Sequence, residues 1–138
     1  FAAYNTTAPQ NVTGDGTAYT VVFDSEVFDQ SSNFDGTSTF TAPVTGRYQF
    51  NANLSITGAL TSANGQVFFT TSNRVYAGNS TSPYSPATLD QYLLSSSILA
   101  DLDAADTCTV TTFVTGMAGN TADLPANAAV LFGGFLAC

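Results

Sequence analysis

Lysine, histidine and tryptophan are absent from this sequence, and its only bases are Arg47 and Arg74. Without histidine there is no Ser-His-Asp triad and no imidazole ligand for a metal. Without lysine there is neither a Schiff base nor a phosphate-loop ammonium. Two arginines against ten acids give a net charge of −8, which excludes neutralising a phosphate backbone and so excludes nucleic-acid binding. No apolar run approaches the roughly 18 residues of a membrane span. Charge of either sign is scarce, at 9% of residues, against roughly 25% in an average globular domain. The chain starts at Phe1 rather than Met, as a processed or excised piece does.

What remains is apolar and uncharged-polar. Hydrophobic residues are 44% and aromatics 12% of 138 residues, enough for one core and too many for a disordered chain. The sequence reads as a single domain over residues 1–138, with 1–17 as an N-terminal strand or extended lead-in. The polar residues are mostly Thr, Ser and Asn, a style suited to a secreted or virion-surface protein. Asn5, Asn11, Asn53 and Asn79 open glycan-acceptor triplets, a pattern that arises easily by chance in a Thr/Asn-rich chain.

The punctuation is that of an all-β protein. Gly, Pro, Asn and Asp clusters recur between short runs of Val, Phe, Tyr and Thr. Strands are expected over Ala18–Phe23, Thr37–Ala42, Arg47–Ile56, Gln66–Thr71, Arg74–Ala77, Thr107–Thr115 and Ala129–Ala137. Leu89–Ala100 reads as one or two more, because Ser95-Ser96-Ser97 makes a poor helix interior. Arg47–Ile56 alternates strictly: Tyr48, Phe50, Ala52, Leu54 and Ile56 share one face, and Arg47, Gln49, Asn51, Asn53 and Ser55 the other. The last strand alternates weakly, as a strand buried on both faces does. Eight to ten short strands without a helix make a sandwich or barrel.

Phe40-(five residues)-Gly46-Arg47-Tyr48-Gln49-Phe50 has a recognisable spacing. So do Phe28 through Asn33 and the ending Phe132-Gly133-Gly134-Phe135-Leu136. Together they resemble the globular head of complement component 1q, whose family shares a jelly roll with the tumour necrosis factors. The resemblance runs from Ala18 to Leu136. It implies a ten-stranded jelly-roll β-sandwich, a homotrimer, and a final strand near the threefold contact. The style is also similar to microbial and phage fibre-tip versions of the domain. Its signature residues here are Phe28, Asn33, Phe40, Gly46, Tyr48, Phe50, Phe132, Gly134 and Phe135. The glycine that the family carries in a late hairpin is Ala105 in this chain. Gly46 is expected at a turn, and Gly133 and Gly134 where another backbone comes close.

Four groups carry candidate chemistry. Asp101, Asp103 and Asp106 could offer clustered oxygens to calcium, which some relatives bind, but they lack the full Asp-x-Asp-x-Asp-Gly loop and a solvated turn explains them better. Asp24, Glu26 and Asp29 form a second acidic group, in which alternation could set Asp24 and Glu26 on one face as a glycosidase pair, but nothing indicates the cleft that chemistry requires, and an exposed strand edge suits them better. Cys108 and Cys138, at the start of the penultimate strand and the end of the last, could meet at one end of the sandwich as a disulfide. The alternative is two reduced thiols, one buried and one terminal. Tyr76, Tyr84 and Tyr92 lie in or beside a Ser/Pro/Asn-rich loop and suit either ligand contact or packing beneath it.

The expected protein is thus a non-enzymatic homotrimeric head with no cofactor, extracellular or on a virion. It would bind a cell-surface glycan or protein at a fibre tip, with neither nucleic acid nor membrane insertion. The alternative is an architectural subunit of a capsid decoration or extracellular filament that has no ligand of its own.

Overall fold

The computed structural model describes residues 1–59, 63–80, 91–127 and 129–138; the side chain of Tyr92 also falls outside that description. Among the described residues ten strands follow one another: β1 (Ala2–Tyr4), β2 (Tyr19–Thr20), β3 (Ser25–Phe28), β4 (Phe40–Thr41), β5 (Gly46–Thr57), β6 (Asn64–Thr71), β7 (Val75–Ser80), β8 (Gln91–Leu102), β9 (Thr107–Thr115) and β10 (Leu131–Leu136). No helix among the described residues is long and apolar enough to cross a membrane. Sheet I has the order β3-β1-β10-β5-β8. Sheet II has the order β2-β9-β6-β7, with β4 also on β9. Every pairing is antiparallel.

Period-two patterning drives the layering. On β5 the side chains of Tyr48, Phe50, Ala52, Leu54 and Ile56 are all buried between the sheets. Facing them, β9 turns Cys108, Val110, Thr112 and Val114 inward, and β6 turns in Val67 and Phe69. Phe132 of β10 sits at the centre, its ring 4.9 Å from Phe1, 5.4 Å from Phe23 and 5.8 Å from Phe50. Thr112, the one polar group in that β9 row, donates its hydroxyl to the Gln66 carbonyl at 2.8 Å, which makes its burial tolerable.

Several expectations need correction. Within Ala18–Phe23 only Tyr19–Thr20 joins a ladder. Val21 and Phe23 still enter the core, but Phe23 donates its N–H to the Thr37 carbonyl, leaving β9 behind. Strand β3 was unexpected, because Glu26, Val27 and Phe28 are all exposed and show no alternation. The stretch expected as one or two strands agrees with that reading: it is one strand of twelve residues, paired along the whole length of β5. The last strand is not buried on both faces: Phe135 and Leu136 are exposed.

Gly46 does not sit in a turn. It opens β5, and a Cβ there would lie 2.7 Å from Leu136 Cδ1 and 2.8 Å from the Cys138 carbonyl oxygen. What requires glycine is the crossing chain end. Gly133 meets the close approach expected of it, with the Phe1 carbonyl oxygen 3.1 Å from where its Cβ would be.

Candidate functional site

Antiparallel register fixes what sheet I shows to solvent. Residues opposite one another share a face. Phe135, Gln49 and Leu99 form one outward row, Gly133, Asn51 and Ser97 the next, then Leu131, Asn53 and Ser95. Arg47 opposite Asp101 closes the face at one end, and Leu93 stands opposite Ser55 towards the other. Tyr4 and Ala2 extend the face onto β1, and Phe28 of β3 lies opposite Ala2.

No charged side chain stands on β10, β5 or β8 between the Arg47–Asp101 row and Gln91. The described acids lie instead in turns, at strand ends and on the edge strand β3. Exposed large hydrophobics concentrate on this face: Phe28 is 53% exposed, Leu93 65%, Leu99 53% and Phe135 60%. Among the described residues, sheet II shows only Val75 of that class. A groove of about 550 Å³ opens beside β10, lined by Phe1, Phe28, Phe40, Phe135 and Leu136 over the bare backbone of Gly133 and Gly134. Asp29 is the one charged residue in its lining, and its Oδ2 accepts the Phe34 N–H at 2.8 Å.

The two ends of the sandwich differ. Cys138 ends beside Arg47, whose N–H donates to its carbonyl oxygen, and Phe1 exchanges hydrogen bonds with Gly134. Arg74 lies at this same pole, in the β6–β7 connection. The opposite pole gathers the connections after β1, β5 and β9. They are laced together: Thr13 bridges Ala122, Thr57 bridges Asp123, Met117 N–H donates to Gly14, and Asn11 N–H donates to Asp123 Oδ1 at 2.6 Å. Asp15 and Asp123 are the described charges there, and both of the chain's bases lie at the other pole.

The fold signature is brought together. Tyr48, Phe50, Phe40 and Phe132 pack in one aromatic cluster, with Phe40 5.4 Å from Tyr48 and 5.3 Å from Phe50. Tyr48 donates its hydroxyl to the Val44 carbonyl at 2.6 Å. The Asn33 carbonyl accepts the Thr41 N–H, which anchors the loop that enters β4.

Of the calcium candidates, Asp103 and Asp106 share one turn, but the three do not form a cluster. Asp101 faces outward from β8, whereas Asp106 Oδ2 accepts Asn73 Nδ2 at 2.6 Å and the Asp103 N–H at 2.8 Å. Among the described residues, no group of three or more acids or cysteines is placed to hold a metal ion. In the second acidic group Asp24 accepts the Thr6 N–H and hydroxyl, Asp29 accepts amides of its own turn, and Glu26 is exposed on β3.

The expected disulfide is not formed: Cys108 and Cys138 are free thiols. β9 and β10 follow each other in sequence but belong to different sheets, so succession does not make them neighbours. Cys108 packs in the core, where burial pushes its thiol up to about 12. Tyr76 lies half-buried against the core, with the Arg74 guanidinium 5.8 Å from its ring centroid. Tyr84 lies outside the described residues, as does the side chain of Tyr92, whose backbone pairs with Ile56. Sequence reasoning missed Leu93, Leu99 and the groove residue Phe1. Leu93 and Leu99 carry a signal in retrospect: with Ser95 and Ser97 they form the odd-numbered face of β8.

No protein-family profile and no curated relative matches the chain. Solved structures do. The globular domain of zebrafish complement 1qA is 17% identical with a TM-score of 0.67, covering 100% of this chain and 96% of that one. Murine APRIL is 14% identical with a TM-score of 0.61, covering 98% and 94%. Eiger TNF from S. frugiperda is 15% identical with a TM-score of 0.61, covering 100% and 92%. At such identities the likeness is one of fold, and the chain has the jelly-roll sandwich of the complement 1q and tumour necrosis factor proteins.

Proposed function

We propose that the chain is a non-enzymatic homotrimeric head domain, working outside the cell or on a virion. Its loop pole would take a cell-surface glycan or protein in fibre-tip fashion. The carrying observation is the outer face of sheet I, free of charge across its centre and flanked by the exposed Phe28, Phe135, Leu93 and Leu99, in a chain of net charge −8. Acidic copies repel one another, and they can approach closely only on a neutral surface. Exposed apolar patches of this kind mark contact sites. The shared fold with complement 1q and tumour necrosis factor domains supports the same assembly.

The loop pole carries Asp15 and Asp123 and neither base, so a neutral ligand suits it better than a sialylated or sulfated one. Three copies would raise weak single contacts to useful avidity. Light scattering tests the assembly: three times the 14.3 kDa protomer mass is expected, and a monomer at micromolar concentration would refute it. A glycan array and cell pull-down with that trimer test the ligand. Binding to neutral glycans or a cell-surface protein is expected. A trimer that binds nothing, found along a shaft or lattice, would favour the architectural reading.

A further inference from the structure

The head-domain reading leaves the triplets that begin at Asn5, Asn11, Asn53 and Asn79 unused. The fold sorts them. Asn5 is wholly buried and its amide is spent. Its Nδ2 donates to the Val22 carbonyl at 2.8 Å and to Thr7 Oγ1 at 3.2 Å, and its Oδ1 accepts the Thr7 and Ala8 N–H groups. A sugar on that nitrogen would take one of the hydrogens in use and would have no way out of the core. Asn53 is exposed, but it stands between Leu131 and Ser95 on the outer face of sheet I. Asn11 is exposed on the loop pole at a φ of 56°, held by its backbone N–H on Asp123 rather than by its side chain. Asn79 is exposed on β7, the end strand of sheet II, which has neither charge nor proline to blunt it.

We propose that Asn11 and Asn79 carry N-linked glycans, and that Asn5 and Asn53 do not. The donor is an oligosaccharide on a polyprenyl diphosphate, delivered by a membrane oligosaccharyltransferase. The sugar C1–O bond to the diphosphate breaks, a C1–N bond forms to asparagine Nδ2, and one Nδ2 proton is released as the diphosphate departs. Thr13 sets the order of events. The acceptor triplet requires its hydroxyl, and the Thr13 hydroxyl is buried, donating to the Thr17 carbonyl at 2.6 Å and accepting the Val114 N–H at 2.9 Å. Transfer to Asn11 therefore precedes closure of the loop pole, and the exposed side chain keeps the glycan outside once the pole closes. Only the exclusion of Asn53 rests on the trimer reading, because a glycan there would stand between copies.

The full chain, secreted from a eukaryotic host that supplies transferase and donor, provides the test. Release by peptide:N-glycosidase in heavy-oxygen water turns each glycosylated asparagine into a marked aspartate, read by peptide mass spectrometry. Marks at Asn11 and Asn79 alone are expected. Asn11→Gly, which tolerates the positive φ, and Asn79→Gln should each remove one glycan from the intact mass, with folding verified by circular dichroism. Folded chain made without glycans, then given transferase and donor, should take no sugar at Asn11; modification there would overturn the order of events. A secreted, folded trimer unmarked at Asn11 or Asn79, or marked at Asn5, would overturn the assignment and leave the head-domain reading standing. A mark on Asn53 in the trimer would overturn its exclusion. A mark on Asn53 in a chain that stays monomeric would overturn the trimer reading and leave Asn11 and Asn79 assigned.

Discussion

Gly134 and Phe50 lie opposite each other on β10 and β5, and the Phe50 ring occupies the space a side chain at 134 would need. A Cβ at 134 would stand 2.5 Å from Phe50 Cδ1 and 3.0 Å from the Gln49 carbonyl oxygen. Phe50 cannot swing away, because Tyr48, Phe40 and Phe132 pack around it. Gly134→Ala should therefore destabilise the fold by about 1–3 kcal/mol through overpacking. Urea unfolding of the two proteins measures this, and an unchanged midpoint would show that the ring has room to move.

Ala105 stands in the β8–β9 turn with a φ of 74°, a left-handed conformation that costs an alanine roughly 1 kcal/mol. The turn is held from outside by the Ala105 N–H, which donates to the Ala42 carbonyl, and from within by the Asp106 N–H, which donates to Asp103. Ala105→Gly should raise stability by about 0.5 kcal/mol once the greater freedom of unfolded glycine is offset. A thermal melt that drops would mean that the alanine methyl makes a contact outweighing the strain.

Burial pushes the Asp35 carboxyl up, but amide hydrogen bonds from Thr39, Ser38 and Thr37 outweigh it and hold the group below its ordinary 3.8. A carboxyl lowered by folding stabilises the native state above its unfolded value, and that contribution fades as pH falls through the folded value. Asp24 behaves alike: burial raises it, and the Thr6 hydroxyl and amide lower it further than burial lifts it. Melting temperature should drop as pH falls below about 4, and Asp35→Asn should flatten that descent. An equally steep descent in the variant would assign the acid sensitivity elsewhere.

Cys108 is sealed in the core with its thiol pushed up to about 12, whereas Cys138 is exposed. Iodoacetamide at neutral pH should add one label per native chain and two per chain unfolded in guanidinium, read by mass. Two labels on the native protein would mean that β9 opens readily. No labels on the unfolded protein, restored by reductant, would bring back the disulfide.

The sequence reached furthest where a pattern is local. Alternation along Arg47–Ile56 and the Thr/Val content of Thr107–Thr115 gave two central strands, because each strand has one face to bury. The scarcity of bases and the lack of histidine excluded whole classes of chemistry by count alone. The spacing of Phe40, Gly46, Tyr48 and Phe50 pointed to the jelly roll, since a two-layer core needs large side chains at fixed intervals. Other features depend on partners distant in the chain. β9 and β10 occupy different sheets, so adjacency in sequence did not put Cys108 near Cys138. Phe1 stacks on Phe34 and Phe40, more than thirty residues away. The outward face of sheet I gathers Phe28, Leu93, Leu99 and Phe135 from three strands whose order only the pairing register decides. Periodicity says that a strand has two faces; which strands lie side by side, and so which apolar residues meet, is set by packing across the whole chain.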